Sequence, residues 1–285
     1  MNIQKSFSNN HATLFLVSTP IGNLSDMTPR AIETLKSVAL IASEDTRVTR
    51  KLCNHFEITT PLTSYHEHNK HTKTTQILER LAAGSDVALV SDAGMPLISD
   101  PGDQLVSLAL AAGIAVVPIP GANAALTALV ASGLAPQPFL FYGFLDRSKN
   151  RRKEELATLA ITPATLIFYE SPHRLTECLK SIMEVLGNRQ VVIARELTKM
   201  FEEFIRGSAS EVLDYLSDVK GEVVLLVDGN HAAPTVDAWW EQLTLTEHVE
   251  HYLDEGLKPN AAIKQVATDL NRPRQAVYKE YHHDT

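Results

Sequence analysis

The sequence predicts an α/β protein, built as two α/β domains in succession and closed by a small helical tail. Three observations carry this. Short apolar runs alternate with helical patterns almost throughout the chain. Runs such as Val87–Val90 are continuously apolar, as strands are in a sheet covered on both faces. From about Ala232 the strand-like runs stop and only helical patterns follow.

Taken in order, Leu14–Val17 reads as a strand, followed by a turn at Pro20–Asn23. Thr28-Pro29 opens a helix, with threonine as N-cap and proline at the first helical position. Val87–Val90 and Ile114–Ile119 are further buried strands. Between them Asp100-Pro101 reads as another cap-plus-proline start, of a helix ending near Gly113. An alanine-rich helix spans Gly121 to Gly133. Strands then follow at Phe139–Phe144, Thr165–Tyr169, Gln190–Ala194 and Val223–Val227, with a helix opening at Ser171-Pro172. Ala232-Ala233-Pro234 reads as a linker, and Thr244 to Glu247 fits a capping box. The expected domains are residues 12–121, 122–231 and 235–285.

Composition narrows the function. Hydrophobic residues make up 44% of the 285, which excludes a disordered or collagen-like chain. Twenty-six Lys and Arg against 34 Asp and Glu give a net charge of −8, so nucleic-acid binding must rest on local patches. No run approaches the roughly 20 apolar residues of a membrane span, and the polar start from Met1 to His11 lacks a signal peptide's apolar stretch. Two cysteines are too few for a disulfide framework or a Cys-rich zinc site. The expectation is a soluble, cytoplasmic protein without a membrane partner.

The chemistry-bearing motifs follow strands. The first strand runs into Thr19 to Leu24, where Gly22 permits close backbone approach to a ligand, although most such glycines only turn the chain. Ser91 to Gly102 follows a buried strand and offers the Asp92 carboxylate among small residues, at the carboxyl end where open α/β sheets bind ligands. An elaborate strand-to-helix loop is the plain alternative. Pro118 to Ala125 ends a third strand similarly, and three such loops can converge on one pocket.

T-P-I-G-N-L, A-S-E-D-T-R, S-D-A-G-M-P-L-I-S-D-P-G, P-G-A-N-A, F-Y-E-S-P-H-R and A-R-E-L-T-K, in this order, resemble the tetrapyrrole methylase superfamily. Within it they resemble the rRNA small subunit methyltransferase I branch, which 2′-O-methylates a cytidine in the decoding region of 16S rRNA. The resemblance runs from about Leu14 to Val227. It implies an S-adenosylmethionine-dependent enzyme, two α/β domains flanking a cofactor cleft, a homodimer, and 16S rRNA or the small ribosomal subunit as partner. Carried across, it places Pro20 and Gly22 along the cleft and Asp92, Gly94 and Pro96 against the ribose and methionine parts of the cofactor. Ala124 and Ala125 fall at small-residue contacts, and Tyr169 and Leu197 at the adenine walls. The G-x-G-x-G-D-P-like first loop usual in tetrapyrrole-modifying relatives is absent here, which argues against a tetrapyrrole substrate.

Ribose methylation needs a hydroxyl aligned with an activated methyl group and an acceptor for its proton. Asp45 falls where some members of the family carry an aspartate proposed as that base, with Arg47 to orient it or to neutralise a phosphate. A helix cap with an ion pair is the competing reading. Glu170 and His173 are further candidates, against simple capping at Ser171-Pro172; Glu196 and Lys199 read as a cleft-wall ion pair. The histidines between Tyr65 and His71 read as solvated loop, with no metal expected. Arg147, Lys149, Arg151, Arg152 and Lys153 are candidate phosphate clamps or a charged helix start. In the tail, helices at Asn260–Leu270 and Gln275–Tyr281 flank a turn and resemble a helix-turn-helix. Arg272, Arg274, Lys279 and Tyr278 are there placed for RNA, against a bundle that merely packs. A tetrapyrrole methyltransferase and a non-catalytic, cofactor-binding RNA-associated protein are the alternative functions.

Overall fold

The first five strands pair into one sheet, the three expected from apolar runs being joined by two more at Leu40–Ser43 and Leu62–Ser64. β1 (Thr13–Val17), β2 (Leu40–Ser43), β3 (Leu62–Ser64), β4 (Val87–Val90) and β5 (Ala115–Ile119) lie in the order β3-β2-β4-β1-β5, every pair parallel. The helices α1 (Pro29–Ser37), α2 (Thr46–His55), α3 (Lys70–Ala82) and α4 (Asp103–Ala111) lie between successive strands. Strand alternation divides the side chains between two cores. Val17, Ile41, Ala88 and Val90 join Ala31 and Leu35 of α1, whereas Leu14, Ala42, Val87 and Leu89 join Ile77 of α3 and Leu105 of α4. β4 is therefore buried on both faces, which explains its unbroken apolar sequence.

This computed structural model describes residues 3–6, 12–216, 219–231, 240, 243–270 and 272–283. The linker expected at 232–234 and Asn271 of the expected turn lie outside the described residues.

The second sheet is mixed. After α5 (Ala124–Ser132) come β6 (Phe139–Phe144), α6 (Lys149–Leu159), β7 (Thr165–Glu170), α7 (Pro172–Leu186), β8 (Gln190–Arg195), β9 (Glu203–Ser208), α8 (Ala209–Tyr215) and β10 (Val223–Val227). Their order is β6-β7-β10-β8-β9, with β6 and β7 parallel and the other pairs antiparallel. Leu166, Phe168 and Ile193 pack on Leu175 and Leu179 of α7. On the other face Ile167, Val192 and Val224 meet Ala125, Ala128 and Leu129 of α5, together with Ile21 and Leu197. Ile21 comes from the first loop of the chain, so both sheets share one compact unit, which ends at Asn230.

Caps explain most helix starts. Thr28 accepts from the Ala31 N–H at 3.2 Å with Pro29 at the first position, as expected. Asp100-Pro101, in contrast, does not open α4. The helix begins at Asp103 with Gly102 at its N-cap and no side-chain cap, because the chain first passes through left-handed backbone at Leu97 and Ser99. Gly102 has φ 147°, and a Cβ there would lie 2.8 Å from Leu89 Cδ2. The histidine stretch is likewise only partly loop, since α3 starts at Lys70.

The second unit contains α9 (Leu245–Asp254), α10 (Pro259–Asp269) and α11 (Arg274–His283) around Val249, Ile263, Val266 and Val277. The Thr244–Glu247 capping box forms, with Glu247 Oε2 accepting from the Thr244 N–H at 2.7 Å. Asp269 Oδ2 accepts from the Tyr252 hydroxyl at 2.7 Å and lies 3.1 Å from His248 Nε2. Among the described residues no helix is long and apolar enough to cross a membrane.

Candidate functional site

Backbone hydrogen bonds gather three loops at the carboxyl end of the parallel sheet. Thr19 and Gly94 exchange N–H···O bonds of 2.8 and 3.0 Å, tying the loop after β1 to the loop after β4. The Asp45 N–H donates to Asp92 Oδ1 at 3.0 Å and adds the loop after β2. Asn123 caps α5 by accepting from the Leu126 N–H at 3.0 Å, which fixes the turn after β5. Against these loops stand the ends of β7 and β8 and the start of β10. Together they enclose a cavity of about 420 Å³, within the range of small-molecule sites.

Asp92, Gly94, Ala124, Tyr169, Leu197 and Glu170 all line this cavity. Pro20, Gly22, Pro96 and Ala125 stand beside lining residues and do not line it themselves. The reasons are local. Ala125, one helical position past Ala124, turns into the core against the second sheet, and Pro96 is buried. Gly22 instead backs onto Lys199, whose Cγ would be 2.5 Å from a Cβ placed there. The sequence reading missed the apolar walls Ile21, Met95, Ile98 and Phe144, and the polar pair Ser99 and Asp100. It also missed the edge formed by Pro172 and residues 221–224. Met95, Ile98, Ser99 and Asp100 had a signal, since they belong to the long loop motif after β4, and Ile21 and Pro172 sit within two of the other motifs; Phe144 and residues 221–224 had none.

The site is acidic and constrained. Burial pushes the Asp92 carboxyl above its ordinary value, and the Asp45 N–H partly offsets this. Asp100 is pushed up to about 6, first by burial and then by the charges of Glu44 and Asp92. Glu44, also raised by burial and then by Asp92, adjoins both. Glu170 Oε1 accepts from the Ser171 N–H at 2.8 Å and lies 3.4 Å from Arg174 Nε, while its buried Oε2 has no partner. Lys199 Nζ bridges Glu196 at 2.9 Å and the cavity-lining Glu222 at 3.1 Å, so the expected cleft-wall ion pair forms. Leu97, Ser99, Glu196 and Thr198 all hold positive φ on the two loops facing this space.

Asp45 and Arg47 are not in the cavity lining. Asp45 caps α2, its Oδ1 accepting from the Arg47 N–H at 2.8 Å, and its Oδ2 meets Arg47 Nη2 at 2.7 Å. Hydrogen bonds from Arg47 hold its carboxyl down at about 2. Such a group is a weak proton acceptor, and the helix-cap reading is the one this geometry supports.

A family model for Tetrapyrrole (Corrin/Porphyrin) Methylases matches residues 13–213. The chain is 55% identical over 273 residues to a protein of Bacillus subtilis (strain 168) named Ribosomal RNA small subunit methyltransferase I, covering 94% of each. It is 52% identical to the Halalkalibacterium halodurans protein of the same name, covering all of both chains. The chain belongs to the tetrapyrrole methylase family, in its ribosomal RNA small subunit methyltransferase I branch. Solved structures share the family fold at lower identity. A diphthine synthase matches with a TM-score of 0.60 at 14% identity, over 76% of this chain and 90% of that one. A uroporphyrin-III C-methyltransferase from Thermus thermophilus, complexed with S-adenosyl homocysteine, matches with 0.55 at 19% identity, over 77% and 98%.

In this tetrapyrrole methylase the basic run of α6 divides by exposure. Arg152 is buried, donating from Nε to Ser181 Oγ at 3.0 Å and from Nη2 to the Glu177 carbonyl at 3.4 Å, so it is no phosphate clamp. Lys149 and Lys153 both pair with Glu184, Arg151 lies 3.8 Å from Asp146, and Arg147 is exposed. In the tail Arg272 pairs with Glu280, Arg274 donates to Asn260 Oδ1 at 3.2 Å, and Tyr278 and Lys279 are exposed.

Proposed function

We propose that this chain uses S-adenosylmethionine to methylate the ribose 2′-oxygen of a cytidine in the decoding region of 16S rRNA. The observation that carries the reading is the 55% identity, over 94% of each chain, to the Bacillus subtilis ribosomal RNA small subunit methyltransferase I. The cavity fits such a cofactor. Its volume suits an adenosyl ligand, Ile21, Leu197 and Tyr169 offer apolar walls to a purine, and Asp92 offers lone pairs to hydroxyl or ammonium groups. Gly94 and Ala124 leave room for the ligand beside the backbone. The cofactor, when bound, supplies a methyl group already activated on a sulfonium.

The protein's own task is then alignment and exclusion of water. The hydrogen bonds from Thr19 to Gly94 and from Asp45 to Asp92 keep the binding loops in register before any ligand arrives. Exposed cations at Arg147, Lys149 and Arg151, with the half-buried Lys153 beside them, and in the tail Arg272, Arg274 and Lys279, are available for rRNA phosphates. We also assign the protein to the cytoplasm, where the small subunit resides, and to a homodimer. Support for the dimer comes from Leu126 and Val130, exposed one turn apart on α5, and from the exposed Met200 and Phe201. Incubation with labelled S-adenosylmethionine and hypomethylated small subunits, followed by nucleotide mapping, tests the reaction. Label on a base, or on another RNA, overturns it.

A further inference from the structure

The apolar walls of the cavity differ in exposure. Ile21 and Leu197 are buried, whereas Phe144, which also lines the cavity, keeps 55% of its surface exposed. A bulge aims it there. β6 is an edge strand that pairs with β7 alone. Phe141 lies opposite Ile167, but the next partners are Gly143 with Phe168 and Phe144 with Tyr169, so Tyr142 is an extra, unpaired residue. Strand side chains alternate between faces, so one inserted residue moves every later side chain to the other face. Without it Phe144 would share the α7 face with Tyr142; with it, the ring shares the cavity face with Tyr169. Gly143 permits the bulge: its φ is 86°, and a Cβ there would lie 3.3 Å from Ser99 Oγ on the loop after β4. The Phe144 and Tyr169 rings meet in a T-shaped contact with centroids 5.7 Å apart, and Phe141 backs Tyr169 at 4.9 Å.

The chain beyond the ring is pinned. Leu145 is buried, and Arg174 donates from Nη2 to the Leu145 and Asp146 carbonyls at 2.8 and 3.1 Å while its Nε lies 3.4 Å from Glu170. Asp146 Oδ1 accepts from the Ser148 N–H at 2.7 Å. Between them stands the exposed Arg147, three residues past Phe144, so the two Cα atoms are at most about 11 Å apart. Asp92, Asp100 and Glu222 line the cavity and make its interior unfavourable to a phosphate. An aromatic face and a cation therefore stand together at the rim of an acidic cavity.

We propose that Phe144 is the platform on which the base of the target nucleotide stacks, with Arg147 taking a neighbouring phosphate. The inference rests on the rRNA methylation reading above. Unpaired RNA is held in this way because every base has a π-face, and stacking on an aromatic side chain needs no pairing partner. A nucleotide stacked on Phe144 keeps its phosphates at the rim beside Arg147 and presents its uncharged ribose to the cavity.

The test compares wild type with Phe144→Ala, Phe144→Leu, Phe144→Trp and Arg147→Ala under single turnover on subsaturating hypomethylated small subunits. Phe144→Ala and Phe144→Leu should each lose about tenfold or more of the rate, whereas Phe144→Trp, which keeps a ring, should stay within about threefold of wild type. Calorimetry should show S-adenosylhomocysteine binding within about threefold of wild type in every variant, at about the same scale as the ring-retaining change. Arg147→Ala should reduce the salt slope of subunit binding by about 1, while Phe144→Ala should leave it unchanged, because stacking releases no counterion. Two outcomes overturn the platform. Phe144→Leu as active as wild type shows that any apolar side chain serves, and S-adenosylhomocysteine affinity falling in step with the rate in Phe144→Ala places the ring against the cofactor instead. Mapping the wild-type product reads the reaction separately. Label on a base overturns the 2′-O reading and leaves the Phe144 comparison to decide the platform by itself; a 2′-O-methyl product with unimpaired Phe144→Ala overturns the platform alone.

Discussion

The Asp45 backbone N–H donates to the Asp92 carboxylate at 3.0 Å, while the Asp45 side chain turns away to cap α2 and clasp Arg47. One residue thus joins two loops through its backbone and starts a helix through its side chain. Asp92 in turn faces both the neighbouring loop and the cavity.

Ligand stabilisation should depend on Asp92. S-adenosylhomocysteine at about 100-fold its Kd should stabilise the native state by about 2.7 kcal/mol, or roughly 5–10 °C in melting temperature. Asp92→Ala should abolish most of that rise and lower the ligand-free melting temperature as well, because the Asp45 N–H loses its acceptor. Asp92→Asn keeps an acceptor oxygen and should preserve the ligand-free value. Differential scanning fluorimetry with and without ligand reads both effects, and an unchanged ligand shift in Asp92→Ala removes Asp92 from the site.

Asp45→Asn should leave single-turnover methyl transfer within about threefold of wild type, since Asp45 does not line the cavity. Its effect belongs to stability. The folded carboxyl titrates at about 2, below the unfolded value of 3.8, so the contribution is present above pH 4 and lost as pH falls through 2. The melting-temperature gap between wild type and Asp45→Ala should therefore shrink on acidification. A large rate loss at unchanged stability contradicts this account.

Asp100 carries the opposite sign. Its folded value near 6 exceeds the ordinary carboxylate value of 3.8, so the protonated form is favoured by folding. That stabilisation is complete below pH 4 and is lost as pH rises through 6. Asp100→Asn, neutral throughout, should therefore gain melting temperature relative to wild type between pH 5 and 8. A gap that stays constant across this range shows that the carboxyl titrates normally.

These two aspartates show where the sequence was informative. A cap-plus-proline pattern opens α1 at Thr28-Pro29, yet the same pattern at Asp100-Pro101 lies inside a loop. The difference is tertiary, because Gly102 packs on Leu89 of β4 and α4 starts one residue later. Apolar runs with strong contrast, such as β4, β6 and β10, were readable at their ends. β2, with four residues running straight into Glu44 and Asp45, was not, and neither was β9, whose Glu203 and Arg206 suit an edge strand. The cavity followed the same division. Loops after β1, β4 and β5 were visible as glycine-bearing motifs. The wall at residues 221–224 depends on β10 inserting between β7 and β8, a pairing that no local pattern encodes.

Gly22→Ala should weaken ligand binding from outside the cavity. The added methyl lands 2.5 Å from Lys199 Cγ and 3.0 Å from the Leu197 carbonyl, so Lys199 must leave its bridge to Glu196 and Glu222. Overpacking of this kind costs about 1–3 kcal/mol. Lys199→Ala removes the side-chain part of the clash and leaves only the Leu197 carbonyl contact, so the double variant should be less impaired than the sum of the two single changes. Strict additivity in urea unfolding rules out the contact as the cause.

Truncation before residue 235 should leave the first unit folded and ligand-competent, because both sheets and the cavity lie within it. With a net charge of −8, binding to ribosomal RNA depends on concentrated cations, and each phosphate contact releases counterions. Loss of the tail should therefore lower affinity for small subunits and flatten its salt dependence. Replacing Arg272, Arg274 and Lys279 together by alanine should reproduce most of the loss, with Lys279 the largest single contributor. Arg272 is already paired with Glu280 and Arg274 is bonded to Asn260, whereas Lys279 is exposed. Arg152→Ala provides the contrast. It withdraws a buried donor from Ser181 and the Glu177 carbonyl, so it should cost about 1–3 kcal/mol of stability while leaving the salt slope unchanged. A truncated protein that methylates small subunits at normal efficiency, with an unaltered salt slope, would confine the tail to packing.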